Sequence, residues 1–175
     1  MYFEDECHFK LTLTIIRAWF LAGSQPEIKS PVDRFKVSIF GAMGGNGQLI
    51  TFENETFDAV TFRLFLEKLL FKAETGRKEN GKPKKILLVL DNAKYHHAKI
   101  LQPWLNSVSD LLELFFLPPY SPDLNPIEML WKKTRRNVTH NRFFSSLHEL
   151  WYDLKQYWVQ FAKPNDELTK LSAFI

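Results

Sequence analysis

Three acids stand out by position. Asp5 lies in the first predicted strand, Asp91 directly follows the apolar run Ile86–Leu90, and Glu128 lies in the first turn of a predicted helix. Carboxylates are hard oxygen donors. A few of them typically hold Mg²⁺, with phosphate oxygens and water completing the shell. Two such ions about 3.5–4 Å apart can activate a water or a 3′-hydroxyl and stabilise the leaving oxygen of an in-line phosphodiester attack. Segments distant in sequence suffice if the fold brings them together.

Each acid also has a structural reading. Asp5 sits between Glu4 and Glu6 and on pattern alone reads equally well as a surface acid. Asp91 fits a turn, yet a charge directly after five apolar strand residues needs a reason. Asn125-Pro126 opens a helix with Asn as N-cap and Pro at the first helical position. Glu128, three residues after Asn125, then has the form of a capping box. Spacing alone does not separate the cap from the ligand.

The net charge of +3 is small, but the basic residues cluster. Lys132, Lys133, Arg135, Arg136 and Arg142 occur with no acid among them, and Arg77, Lys78, Lys82, Lys84 and Lys85 are opposed by Glu79 alone. Such clusters are ordinarily solvated faces; they gain meaning beside a site that handles polyanions. His96-His97 does not read as a zinc pair, because adjacent side chains on a helix diverge by about 100° and no further ligand set accompanies them.

The elements that must position these groups follow from periodicity. A 45% hydrophobic chain of 175 residues with 16 Phe and 5 Trp supports a substantial core and fits one domain, 1–175. Cys7 is the only cysteine, which excludes an intrachain disulfide framework and suits a reducing compartment. The acidic first ten residues do not form a signal peptide, and no apolar run reaches the roughly 20 residues of a membrane span. These features predict a cytoplasmic protein without membrane association.

Residues 2–10 and 12–22 read as strands, as does Phe35–Phe40. Gly41, Gly44, Gly45 and Gly47 predict a turn leading into a short strand at Gln48–Phe52. Phe62, Phe65, Leu66, Leu69 and Leu70 then mark one face of a helix over 56–72. Residues 74–84 read as an exposed loop. Ile86–Leu90 reads as a strand buried on both faces, a short helix follows near 96–106, and Leu111–Leu117 is a further strand. Helices fill about 125–172. The last carries a capping box, Ser146 with Glu149, and an apolar stripe from Leu147 to Phe161 that Pro164 terminates. An antiparallel meander followed by strand–helix–strand crossovers gives an α/β fold, a mixed five-stranded sheet flanked by helices.

The run Leu117-Pro-Pro-Tyr-Ser-Pro-Asp-Leu-Asn-Pro-Ile-Glu128, with Trp131 after it, resembles the signature of mariner-like DDE transposases, specifically their bacterial insertion-sequence branch. Leu88 to His96 resembles the second catalytic block of that family, and Phe3-Glu4-Asp5-Glu6 the first. Trp19, Gly23 and Pro26 match the stretch between. Thirty-six residues separate Asp91 from Glu128, slightly more than is usual in the family, and an insertion near 100–110 would explain it.

The resemblance implies a ribonuclease H-like fold in which Asp5, Asp91 and Glu128 are the catalytic, metal-binding triad for two Mg²⁺ or Mn²⁺ ions. It implies an endonuclease that cleaves DNA at transposon ends and transfers the strand into target DNA, acting as a nucleoid-associated homodimer. Lys94, His96, Lys132, Arg135 and Arg136 become candidate DNA contacts, with Lys132 and Arg135 at i+4 and i+7 from Glu128. Glu6, in the strand beside Asp5, should face the other side of the sheet. Relatives carry an N-terminal helix-turn-helix region. None is apparent in this sequence, which predicts a separate or frameshift-fused source for it. A stand-alone nuclease and a non-catalytic DNA-binding derivative are the rival readings.

Overall fold

The computed structural model describes residues 1–12, 14–17, 19, 21–24, 27, 35–74, 78–79 and 82–172. Five strands form one sheet: β1 (Tyr2–Lys10), β2 (Lys36–Gly44), β3 (Leu49–Glu53), β4 (Ile86–Leu90) and β5 (Leu112–Phe116), in the order β3-β2-β1-β4-β5. The first three strands pair antiparallel; β1 pairs parallel with β4, and β4 parallel with β5. The predicted meander and crossovers are therefore present. Parallel neighbours need a crossover long enough to return the chain to the same end. Helix α1 (Ala59–Glu74) lies in the crossover to β4. Two short 3-10 turns, Lys94–His97 and Lys99–Leu101, with α2 (Gln102–Ser107) lie in the next.

Helices cover both faces of the sheet. On one side Phe62, Phe65, Leu66 and Leu69 of α1 are fully buried against Phe40, Leu88 and Leu90. Each such side chain contributes roughly 1.5–3 kcal/mol, far more than intrinsic helix propensity. Asp58 starts α1 by accepting the N–H groups of Val60 and Thr61, both at 2.9 Å, which explains why the helix begins at Ala59 rather than 56. On the other side lie α3 (Ile127–Thr134), α4 (Leu147–Trp158) and α5 (Asp166–Ser172). Their Ile127, Leu130, Trp131, Leu150, Leu154, Trp158 and Leu168 pack on Cys7, Phe9, Ile39 and Met43. Ser146 caps α4 through the Glu149 N–H, while the Glu149 carboxylate reaches Ser145 instead of closing the predicted box on Ser146.

Several expected elements differ. Among the described residues of 12–22 the pairing is a single bridge from Thr14 to His140, and Ile15, Trp19 and Leu21 are exposed. Among the described residues, the pairing of this aromatic and β-branched stretch goes no further than that bridge. Pro26 lies outside the described residues. Residues 78–79 and 82–83 pair antiparallel within the expected loop. Gly41 and Gly44 belong to β2, which runs into the predicted turn as far as Gly44. The turn proper includes Gly47, with φ +78°, where an added Cβ would lie 1.9 Å from the Asn165 carbonyl oxygen. Among the described residues no helix is long and apolar enough to cross a membrane.

Gly41 stands opposite Asp5 in the β1–β2 ladder, and an added Cβ would lie 2.5 Å from the ring of Trp131, which is 1% exposed. Trp131 is pinned by Phe9 and Trp158 and has no room to retreat. Gly41→Ala should therefore destabilise the chain by about 1–3 kcal/mol through overpacking. A urea titration would show a lowered midpoint at unchanged slope; an unshifted midpoint would mean that the ring does not need this gap.

Candidate active site

The central strand β1 alternates. Cys7 and Phe9 enter the core under α3, and Asp5 points the same way, accepting a 2.9 Å hydrogen bond on Oδ2 from Trp131 Nε1. Tyr2 faces α1, and Glu4 and Glu6 face His96 on that side. The expectation for Glu6 holds, and it extends to Glu4. Asp91 is the first residue past β4. Its Oδ1 accepts the Ala93 N–H at 2.8 Å and lies 3.3 Å from His96 Nδ1. Glu128 stands in the first turn of α3. The structure brings Asp5, Asp91 and Glu128 together along an open cavity of about 420 Å³, walled also by Asn92, Asn125 and the segment Leu117–Pro122.

The proline-rich segment that forms this wall is anchored at its Leu117 end by two hydrogen bonds. The Leu117 N–H donates to the Leu90 carbonyl at 2.8 Å, and Asn92 Nδ2 donates to the Leu117 carbonyl. Tyr120 sits at φ +58° with its side chain fully exposed. Asn125 does not act as the expected side-chain cap. It is 4% exposed and its Nδ2 donates to the Glu4 carbonyl at 2.7 Å, tying the start of α3 to the central strand. Pro126 takes the position before the helix, with no side-chain cap, so the capping-box reading of Glu128 falls away.

Burial pushes the Asp5 carboxyl up to about 8, and the neighbouring Glu128 and Glu6 charges push in the same direction. Asp91 moves the other way: the hydrogen bond from His96 holds its carboxyl below the usual range, helped by the Ala93 N–H. Three oxygen donors on an open cavity, two of them mutually repelling and one partly desolvated, suit a hard divalent cation such as Mg²⁺ or Mn²⁺. The all-oxygen donor set and this surplus of negative charge pass the chemical test for such an ion.

The expected DNA contacts divide. Lys94, Lys132 and Arg136 are exposed. His96 is 1% exposed and has both ring nitrogens engaged, Nδ1 with Asp91 and Nε2 with Glu6 at 3.1 Å, so it is withdrawn as a DNA contact. Arg135 is half-buried, donates to Cys7 Sγ at 2.8 Å and lies over the Phe9 ring. It is committed to the protein, at the point where α3 widens into a π-turn over Arg135–Thr139. Sequence reasoning missed Trp131 as the Asp5 donor and Asn125 as the strand tether. The Glu4–Glu6–His96 cluster also went unseen.

The Asp5 shift carries a stability consequence. Its ordinary carboxyl value is 3.8, and in the folded chain it lies at about 8. Between those values the folded state binds a proton that the unfolded state has released, so stability falls as pH rises from about 4 to about 8. Melting curves in chelator should slope downward over this window in wild type and less steeply in Asp5→Asn. Glu4, whose carboxyl burial also pushes up, contributes in the same direction in both chains. Parallel slopes would contradict the Asp5 environment described above.

A family model described as DDE superfamily endonuclease matches residues 1–151. The chain is 28% identical over 151 residues to the insertion element IS630 uncharacterized 39 kDa protein of Shigella sonnei, covering 86% of this chain and 42% of that protein. It is 37% identical over 78 residues to the uncharacterized protein y4pE/y4sA of Sinorhizobium fredii (strain NBRC 101917 / NGR234), covering 45% of this chain and 53% of that one. The chain thus spans about half the length of these relatives. Among solved structures it resembles a pre-cleavage Mos1 transpososome, with TM-score 0.73 and 19% identity over 98% of this chain and 51% of that one. It also resembles the catalytic domain of Mos1 mariner transposase, with TM-score 0.67 and 18% identity over 98% of this chain and 74% of that one. The shared architecture is the ribonuclease H-like fold. With the family model spanning 151 of its 175 residues, the chain belongs to the DDE superfamily endonucleases.

Proposed function

We propose that this chain is the metal-dependent catalytic unit of an insertion-sequence transposase, cutting DNA at transposon ends and joining the freed 3′-hydroxyl to target DNA. The observation that carries this reading is the convergence of Asp5, Asp91 and Glu128 from three separate elements on one open cavity. Relatives and neighbours point the same way: one is the product of an insertion element, and Mos1 paired end complexes were crystallised with Mn and with Mg.

In this reading the three carboxylates hold two Mg²⁺ or Mn²⁺ ions. Such ions, when bound, activate the attacking oxygen and stabilise the leaving oxygen of an in-line displacement. The chain's own contribution is placement. Trp131 fixes the Asp5 carboxylate from below, and the Ala93 N–H with His96 fixes that of Asp91. Glu128 rides on α3, whose start Asn125 ties to β1. Lys94, Lys132 and Arg136 are exposed cations suited to DNA phosphates, with Lys132 one helical turn beyond Glu128. Recognition of the transposon ends would fall to a helix-turn-helix region, separate or frameshift-fused. A homodimer would hold two ends, and the site of action would be the nucleoid.

Plasmid nicking and strand transfer in Mg²⁺ with cognate ends should drop at least about a hundredfold in Asp91→Asn and Glu128→Gln, the loss of roughly 3 kcal/mol of transition-state stabilisation. Undiminished activity in both would remove the triad assignment, and nicking without joining would favour a stand-alone nuclease. Lys132→Ala and Arg136→Ala should each weaken DNA binding uniformly across sequences and lower the salt slope by about 1. An unchanged slope would take these side chains off the phosphate path.

A further inference from the structure

On the side of the sheet opposite Asp5, β1 presents Glu4 and Glu6 to the 3-10 turn Lys94–His97, and His96 stands against both. The Glu4 side chain is fully buried, and neither carboxylate oxygen has a hydrogen-bond partner. Its backbone carbonyl is satisfied by Asn125, so the strand is anchored while the charged end is left without a donor. A buried carboxylate in that condition is strongly unfavourable and calls for a specific counterpart.

The imidazole supplies the rest of the pattern. His96 Nδ1 lies 3.2 Å from the Asp91 carbonyl oxygen and 3.3 Å from Asp91 Oδ1, two acceptors that place the proton on that nitrogen. Nε2 faces carboxylates alone, hydrogen-bonded to Glu6 Oε1 at 3.1 Å and 3.8 Å from Glu4 Oε2, and an ion bound there would displace the proton of that hydrogen bond. Metal-bound histidines show this division: one nitrogen donates to a carboxylate or carbonyl, and the other offers its lone pair to the ion. One donor atom from each of Glu4, Glu6 and His96 lies within 4.8 Å of the others. A shell with bonds of about 2.0–2.2 Å requires these atoms to draw in toward one centre.

We propose that Glu4, Glu6 and His96 form a second divalent-cation site, a structural one selective for Zn²⁺, behind the sheet from the Asp5–Asp91–Glu128 cavity. Two carboxylates neutralise the ion's charge. The imidazole favours zinc over Mg²⁺, in contrast to the all-oxygen set on the other face. Glu6 retains 12% side-chain exposure, which leaves an opening for entry and for a water as fourth ligand. Through His96 Nδ1 the ion would brace Asp91, so two chemically different ions would act on one carboxylate from opposite sides. The site stands whether or not the transposase reading holds.

The test uses a chain carrying Asp5→Asn and Glu128→Gln, which silences the front cavity and leaves Asp91 to orient His96. After loading with Zn²⁺ and dialysis into Mg²⁺ buffer it should retain about one zinc per chain by elemental analysis. Adding Glu4→Gln or His96→Gln should lower retention about tenfold or more. The zinc X-ray absorption edge of the parent chain should show an imidazole nitrogen in the shell. Melting reads the same linkage: the parent gains stability in Zn²⁺ over its chelator-treated form, whereas Glu4→Gln gains little or none. No retained zinc, equal retention in Glu4→Gln, or an all-oxygen shell would each overturn the site. The edge measurement needs neither back-site variant, so misfolding of one does not shelter the idea. Residual DNA cleavage by the Asp5→Asn/Glu128→Gln chain would count against the front triad and leave the zinc result untouched.

Discussion

Burying an acidic run in the middle of a sheet is the constraint around which this molecule is arranged. Glu4, Asp5 and Glu6 follow one another in β1, the central strand, with hydrophobic layers above and below. The pleat separates them, sending Asp5 to one face and Glu4 with Glu6 to the other. Each face then needs a polar counterpart in a layer that is otherwise apolar. Trp131 and the cavity serve Asp5, and His96 serves Glu6. The two faces meet at Asp91, whose carboxylate lines the cavity and also touches the ring of His96.

The small residues near the site have their explanation in the same constraint. An indole large enough to reach Asp5 from α3 must lie flat on β2, and β2 has glycine at the position it crosses. The widening of α3 at Arg135–Thr139 follows one helical turn beyond Trp131 and accompanies Arg135 folding over Phe9 onto Cys7. π-Turns recur where a helix must keep a particular side chain in a particular place.

How much of this was legible in sequence depended on whether the cause was local. Ile86–Leu90 and the α1 stripe were readable because burial on two faces, or on one helical face, imprints a pattern on the segment itself. The Pro-Pro-Tyr-Ser-Pro-Asp run disclosed the family because so many of its residues are specific at once. Gly41 was misread as a turn because its reason is a ring ninety positions away. His96 looked like a surface cation beside Asp91, and only the fold reveals Glu6 waiting for it from the first strand. Asn125 fits a cap rule equally well whether it caps or tethers. Composition also misled at 12–22, where the described residues pair through one isolated bridge rather than a strand.

The positive-φ turn at Gly47 has a further meaning. That turn accepts the Asn165 carbonyl where a side chain would stand, and the Asn165 N–H in turn donates to the Asn46 carbonyl at 3.2 Å. The family match stops at 151, yet Leu154, Phe161 and Leu168 beyond it have no exposed surface. The buried core therefore extends past the stretch that family likeness identifies. The final helices are an integral wall of the hydrophobic interior, locked by a glycine in the β2–β3 hairpin.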